Sequence, residues 1–150
     1  MTYRDLDNSV NHRIATSGGL LKRLIYRLIS ENNVEITPEQ WTVLSFLWKE
    51  DGITQQKLCD ATFKDKPSMT RLIDNLVKQD LVYRDTAPND RRSNLIFLTK
   101  QGKSIKDKAN AAVTDTARSA LAGIDENGLE QVRATLKLVF SNIQESLKEP

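Results

Sequence analysis

Cysteine and histidine are almost absent from the sequence, which contains only Cys59 and His12. A single cysteine cannot form an intramolecular disulfide, and one cysteine with one histidine falls short of the ligands of a structural zinc site. The glycine-rich phosphate-binding motifs and the nucleophile elbow of hydrolases are also missing. We therefore expect no metal, no cofactor and no catalytic activity.

Long apolar runs are missing as well, because Arg, Lys or Glu interrupts each one well before the roughly 20 residues of a membrane span. Residues 1–10 carry Arg4, Asp5 and Asp7, where a signal peptide needs a basic patch followed by an apolar stretch. Only six Gly and four Pro occur in 150 residues, which argues against low complexity. These features predict one globular domain in the cytoplasm.

The charge is unevenly distributed. The net charge is only +2, but residues 54–108 contain 12 Lys and Arg against 7 Asp and Glu, a local balance of +5. The remainder contains 10 against 13, a balance of −3. A basic middle indicates either one electropositive face suited to nucleic acid or simply a solvated surface, and charge alone does not decide between them.

Apolar periodicity predicts a first helix over residues 10–29, which Gly18 and Gly19 should weaken or bend. Thr37, Pro38 and Gln40 form the capped start of a second helix. This helix should continue to about residue 49 and end at residues 51–52, Asp-Gly.

Two short helices should follow. Thr54 predicts the cap of a helix over residues 55–60, and after a polar turn a second helix begins near Pro67. Its apolar residues recur with a period of 3.6: Met69, Leu72, Ile73, Leu76 and Val77. Two short helices with a tight turn predict a helix-turn-helix.

The last third of the chain predicts a hairpin and two long helices. Residues 81–84 and 95–98 are rich in strand formers and flank a basic loop over residues 86–94. One helix is expected over residues 100–121, and Asp125 should cap a last helix with an apolar stripe of Leu129, Val132, Leu136, Val139 and Ile143. The fold class is mainly α with a small β-hairpin (α+β).

This order of elements resembles the MarR family of winged helix-turn-helix transcription regulators. Residues 81–84 (LVYR), 89–93 (NDRRS) and 98–102 (LTKQG) are similar to the family's wing signature, and residues 37–41 (TPEQW) to the usual start of its second helix. The family usually places Gly before the L-V-x-R segment, where this chain has Gln79 and Asp80. Asp tolerates a left-handed conformation less well than Gly, so this departure concerns the local helix cap.

The resemblance implies that the second helix of the helix-turn-helix enters the major groove of double-stranded DNA. Its polar side chains are then candidate DNA contacts: Ser68, Thr70, Arg71, Asn75 and Lys78. Arg71 is suited to a bidentate bond with guanine, and Ser68 and Thr70 to phosphate or base contacts near the helix N-terminus. The alternative is that these residues form an ordinary solvated helix face.

By the same resemblance, the hairpin is the wing, and Arg92 occupies the position that enters the minor groove. Asp90 would orient the Arg92 guanidinium by a salt bridge, and Arg91 would contact phosphate. Exposed loop charges that serve only solubility are the alternative.

We expect a homodimer that reads two half-sites about 10 base pairs apart. In a single domain over residues 1–150, residues 37–99 would bind DNA, and residues 8–31 and 100–148 would supply the dimerisation helices. The apolar stripe of the last helix is also compatible with a role in the intramolecular core.

Regulators of this family respond to a small amphipathic or phenolic effector or to thiol oxidation, and most repress transcription. Trp41, Phe46, Trp48 and the pair of glycines could line an effector pocket, but such residues are more often core, so no ligand-binding residue is assigned. We expect Cys59 to be a buried structural cysteine and His12 a surface or interface residue. Two other functions stay open, a winged-helix protein-interaction module and a small enzyme.

Overall fold

Seven α-helices and three β-strands form the part of the chain that the computed structural model describes, residues 9–87 and 90–147. For residues 87 and 90–93, only the backbone is described. The helices are α1 (Val10–Glu31), α2 (Pro38–Leu47), α3 (Gln55–Thr62), α4 (Lys66–Lys78), α5 (Lys100–Ser104), α6 (Lys106–Ala120) and α7 (Glu126–Ser146). The strands are β1 (Ile53–Thr54), β2 (Val82–Ala87) and β3 (Asp90–Leu98). Within these residues, no helix combines the length and the apolar character needed to cross a bilayer.

Polar side chains cap the helices at the predicted positions. The Thr37 hydroxyl accepts the backbone N–H of Gln40 at 3.1 Å, and the Gln40 side chain accepts the backbone N–H of Thr37 at 2.9 Å. This reciprocal pair is a capping box, as predicted. Thr54 and Asp125 each accept the backbone N–H three residues later, at 3.1 and 2.8 Å. Local sequence therefore sets the start of α2, α3 and α7.

The two glycines of α1 do not interrupt it, because the helix continues through Gly18 and Gly19 to Glu31. A Cβ atom added at either glycine would meet no atom within 4 Å. Neither position is therefore needed for a close approach, and the expected bending stays a prediction.

The single helix predicted over residues 100–121 is wrong, since the chain forms α5 and α6 with a break at Ile105. The cause is a crowded first turn. The Gly102 carbonyl, which would accept the N–H of residue 106 in a continuous helix, accepts the Trp48 indole N–H at 2.9 Å. A Cβ on Gly102 would lie 2.0 Å from the Leu81 carbonyl oxygen. The close approach of α5 to the start of the hairpin thus requires glycine and perturbs the helix.

The hairpin strands are longer than predicted, so the expected loop over residues 86–94 is wrong. Both strands extend into it, Thr86 pairs with Asn94, and the register is irregular between Thr86 and Ala87. Leu81, assigned to the first strand, precedes it. The antiparallel sheet has the order β1-β3-β2, and β1 was not predicted. A two-residue strand has no periodicity to detect, and it forms because Ile53 pairs with Ile96 across the sheet.

The core combines one side of α4 with α2, α3 and the sheet. Met69, Ile73 and Leu76 are fully buried, as predicted, and Leu72 is partly buried. Val77 breaks the pattern, because 39% of its surface is exposed. Val77 lies at the edge of the apolar stripe, where the helical turn carries it away from the core.

The protein divides into two compact units, residues 1–116 and 117–150, with the boundary inside α6. The first unit contains the core cluster and the three-stranded sheet. The second contains α7, in which no residue is buried. The solvent-exposed fractions of Val132, Leu136 and Ile143 are 41%, 47% and 53%.

Asp80 ends α4 in the conformation that usually favours glycine, with φ of 54°. The N–H of Asp80 bonds the Val77 carbonyl at 3.0 Å and the N–H of Leu81 bonds the Leu76 carbonyl at 2.9 Å, which is the Schellman motif. Asp80 therefore replaces glycine in an intact cap, and its carbonyl also accepts the Thr99 hydroxyl at 2.5 Å.

We expect Asp80→Gly to stabilise the fold by about 0.5–1 kcal/mol, because it removes a Cβ from a left-handed residue and an anion from the negative end of a helix. Asp80→Ala is the matched control. It removes the same charge but keeps the Cβ, and it should lower stability because Ala tolerates the left-handed conformation less well than Asp does. Urea unfolding followed by circular dichroism measures both, and a glycine variant less stable than the native protein would contradict this account.

Candidate nucleic-acid interface

The predicted helix-turn-helix is present in α3 and α4. Residues 63–65 connect them, and Phe63 makes the turn with φ of 56°. Leu58 and Cys59 of α3 belong to the same buried cluster as Met69 of α4. This packing directs one side of α4 into the core and leaves the opposite side exposed.

Three of the predicted contact residues lie on that exposed side. Arg71, Asn75 and Lys78 are exposed and follow one another at intervals of four and three residues, so they share one face of the helix. The arrangement presents a guanidinium, an amide and an ammonium group side by side. These groups match base edges and phosphates in chemistry.

Ser68 lies in the first turn of α4 and is engaged by the helix cap. The Asp65 carboxylate accepts the Ser68 backbone N–H at 2.7 Å and the Ser68 hydroxyl at 3.0 Å. These two bonds, with a smaller contribution from Arg71, hold the pKa of Asp65 below its usual value. The Ser68 hydroxyl thus donates its proton to the Asp65 carboxylate of the same turn. The sequence had predicted that this hydroxyl contacts DNA, and that role stays a prediction.

Thr70 has a similar internal role. Its hydroxyl donates to the Lys66 carbonyl at 2.9 Å and accepts the side-chain amide of Gln55 at 2.8 Å. The second bond joins the beginning of α3 to α4. Thr70 therefore links the two helices through a side-chain hydrogen bond.

An acidic residue lies on the same helix face as the basic ones, and sequence analysis missed it. Asp74 forms a salt bridge with Arg84 of β2, with 2.7 Å between Oδ1 and the guanidinium nitrogen. The only available signal was the Arg of the LVYR segment, which indicated a wing but not a partner ten residues earlier.

The wing residues Asp90, Arg91 and Arg92 were predicted from the signature. Their backbone belongs to β3, but their side chains lie outside the described part of the structure. Their roles in DNA contact stay predictions. Nearer the base of the hairpin, the rings of Tyr83 and Phe97 stack at a centroid distance of 5.4 Å.

The C-terminal end of α4 borders a cleft of about 1000 Å³. The cleft lies between the end of α1, the start of α2 and the end of α4, and its lining includes Tyr26, Ser30, Gln40, Asn75, Lys78 and Gln79. The buried Gln40 donates to the Gln79 side chain at 2.7 Å, and Gln79 donates to the Glu35 carbonyl at 2.9 Å. Side-chain amides therefore connect the capping box of α2 to the residue that follows α4.

The aromatic residues considered for a pocket do not line this cleft. Trp41, Phe46 and Trp48 pack against the core cluster, which supports the core interpretation. Trp41 also donates to the Asn110 side chain at 3.1 Å.

Cys59 is buried, as predicted. Burial first, and then the negative charge of Asp60, raise the pKa of its thiol, which disfavours the reactive thiolate. His12 is exposed, and its Nε2 lies 3.4 Å from the Thr16 hydroxyl.

Known proteins match this chain along most of its length. A model of the MarR family matches residues 35–93. The HTH-type transcriptional regulator TcaR of Staphylococcus aureus (strain Newman) is 30% identical over 142 residues, which cover 93% of this chain and 89% of TcaR.

Solved structures share the fold. A mutant MarR from E. coli, complexed with operator DNA, has a TM-score of 0.83 at 24% identity, covering 93% of this chain and 99% of that one. CouR from Rhodococcus jostii, bound to p-coumaroyl-CoA, has a TM-score of 0.76 at 21% identity, covering 89% and 93%. The likeness to these two structures is one of fold, whereas the similarity to TcaR extends to sequence. The chain belongs to the MarR family of transcription regulators.

Proposed function

We propose that this regulator is a cytoplasmic, ligand-responsive repressor that binds a pseudo-palindromic operator as a homodimer. The observation that carries the proposal is the exposed face of α4, where Arg71, Asn75 and Lys78 lie together. Their backbone is fixed from behind by a buried apolar stripe. A rigid helix with such a face fits the major groove.

Each residue has a distinct role in the proposed complex. Arg71 bonds the O6 and N7 atoms of guanine in a bidentate manner, and Asn75 reads a neighbouring base edge. Lys78, at the C-terminal end of α4, contacts phosphate. Arg92 enters the minor groove from the wing, oriented by Asp90, while Arg91 meets phosphate.

The homodimer is supported by apolar residues that the chain leaves exposed. In α1, Val10, Ile14 and Leu21 retain 68%, 36% and 40% of their surface. In α7, Leu136 retains 47% and Ile143 retains 53%. Exposed apolar residues that recur along one face of a helix mark an interface, and a second copy of the chain fits a two-fold operator.

An effector site is supported by the cleft at the end of α4. It is large enough for a small aromatic compound, and it offers Tyr26, Lys78 and several side-chain amides as polar partners. The CouR neighbour is bound to p-coumaroyl-CoA. A small amphipathic or phenolic molecule that prefers one position of α4 would shift the population away from the DNA-binding form.

The test is fluorescence anisotropy on the duplex upstream of the protein's own gene, with a scrambled duplex as control, across a salt series. We expect a preference of about a thousandfold or more and a steep dependence on salt. Release by a phenolic acid would establish the ligand response. Absence of binding even at low salt would favour a winged-helix protein-interaction module instead.

Single substitutions should separate the proposed contacts. Arg71→Ala should weaken operator binding by roughly 1–3 kcal/mol and relax base preference at one position of each half-site. Arg92→Ala should weaken binding most on duplexes with A·T-rich flanks. Lys78→Ala is the comparison, because the loss of one phosphate contact should lower the salt slope by about one and leave base preference unchanged. Unchanged affinity in the two arginine variants would rule out these contacts.

Dimerisation should depend on one face of α7. Leu136→Glu places a charge in the apolar stripe and should shift the sedimenting species from twice the 17.0 kDa chain mass toward a single chain. Leu138→Glu is the matched control, because Leu138 is 63% exposed and lies about half a turn away from the stripe. Equal sedimentation of the two variants would contradict the assignment.

A further inference from the structure

Arg84 occupies a position on β2 where an apolar residue would be expected. Side chains alternate along a strand, and Val82 on the same side of the strand is buried while Tyr83 and Asp85 on the other side are exposed. Arg84 thus begins on the core-facing side, directly opposite the buried Ile96. Its side chain is only 29% exposed.

The partner that satisfies Arg84 comes from α4. The Asp74 carboxylate lies 2.7 Å from the Arg84 guanidinium, and its side chain is 44% exposed. Arg71 and Lys78 flank Asp74 on the helix, and Asp85 follows Arg84 on the strand. The ion pair between Asp74 and Arg84 is thus a direct charge contact between α4 and the described part of the hairpin.

The pair lies apart from the backbone bond that joins the hairpin to α4. At the base of the hairpin, the Leu81 N–H donates to the Leu76 carbonyl of α4 at 2.9 Å, and the Thr99 N–H donates to the Leu81 carbonyl at 3.1 Å. Arg84 is three residues further along, about 10 Å at the rise of a strand. The core residues Val82 and Ile96 and the pairing of β3 with β1 also hold the hairpin, so the ion pair adds a further contact that refines its angle to α4.

Asp74 also needs a counter-charge for electrostatic reasons. It lies between two basic residues on the surface proposed to meet DNA, where an isolated carboxylate would repel phosphate. The Arg84 guanidinium neutralises the Asp74 carboxylate from within the protein, at a distance of 2.7 Å.

We propose that Asp74 and Arg84 are a positioning pair that sets the angle of the wing relative to the recognition helix α4, and thereby the sequence preference of the regulator. The inference rests on the proposed DNA-binding function. Arg84 stays on Asp74 in the complex, so the pair acts through α4 and the wing and makes no DNA contact of its own.

A double-mutant cycle tests the coupling. Asp74→Ala removes the carboxylate, and Arg84→Met removes the charge but keeps the length of the side chain that covers the core. We expect each single variant to lower the ratio of operator to scrambled affinity about tenfold, and the double variant to lower it no further. Asp85→Ala, one residue along on the other side of β2, is the control and should change the ratio less than twofold.

The salt series distinguishes positioning from direct contact. If Arg84 stays on Asp74, the double variant, which removes both charges of the pair, has the same salt slope as the native protein. A slope lower by about one would mean that Arg84 neutralises a phosphate and would overturn the proposal. Independent losses that multiply to about a hundredfold in the double variant would overturn it too.

Hydrogen exchange of the β2 amides, residues 82–87, provides a readout without DNA. Exchange should accelerate about equally in both single variants and the double variant. In Asp85→Ala it should stay at the native rate except at Thr86, whose backbone N–H bonds the Asp85 carboxylate at 2.7 Å. If the native protein prefers no duplex, the DNA-binding function fails while exchange still decides whether the pair holds the hairpin. Native exchange rates in Asp74→Ala and Arg84→Met would overturn the inference.

Discussion

The burial of one side of α4 is the constraint on which the rest of the interface depends. Met69, Ile73 and Leu76 are fully buried, which fixes the rotation of the helix about its own axis. A helix rotates by about 100° per residue, so this choice alone decides that Arg71 and Lys78 face outward. A shift of the stripe by one residue would turn Arg71 from the centre of the exposed face toward its edge. The proposed specificity of the regulator is in this sense a consequence of core packing.

Charge placement matters more than charge count on this surface. Three carboxylates lie in or next to α4. Asp65 caps the first turn and Asp74 pairs with Arg84, whereas Asp80 closes the helix through its left-handed backbone. The negative charge of Asp65 is thereby directed to a backbone N–H group and that of Asp74 to a guanidinium. The basic side chains on the exposed face are left to define the potential that DNA would meet in the proposed complex, although the whole chain carries a net charge of only +2.

Sequence predicted the features that depend on neighbours along the chain. The caps at Thr37 and Thr54 and the apolar stripe of α4 follow from contacts three or four residues apart, and they were confirmed. The errors arose where distant residues decide the outcome. The break at Ile105 reflects a bond between Trp48 and Gly102, β1 exists through its pairing with β3, and Asp74 meets Arg84 only after the hairpin folds back. The roles of the α4 and wing side chains in DNA binding stay predictions.

A single helix connects the proposed dimer surface to the proposed effector cleft. The first half of α1 exposes Val10 and Ile14, while Tyr26 and Ser30 near its other end line the cleft. Its 22 residues span about 33 Å, and Ile29 anchors the C-terminal end in the core. A ligand in the cleft would press on α1, on the Gln40–Gln79 bond and on the end of α4 together. Because α1 would be held by the partner chain, the ligand would displace α4 together with the core packed behind it, and this movement would change the distance between the two recognition helices.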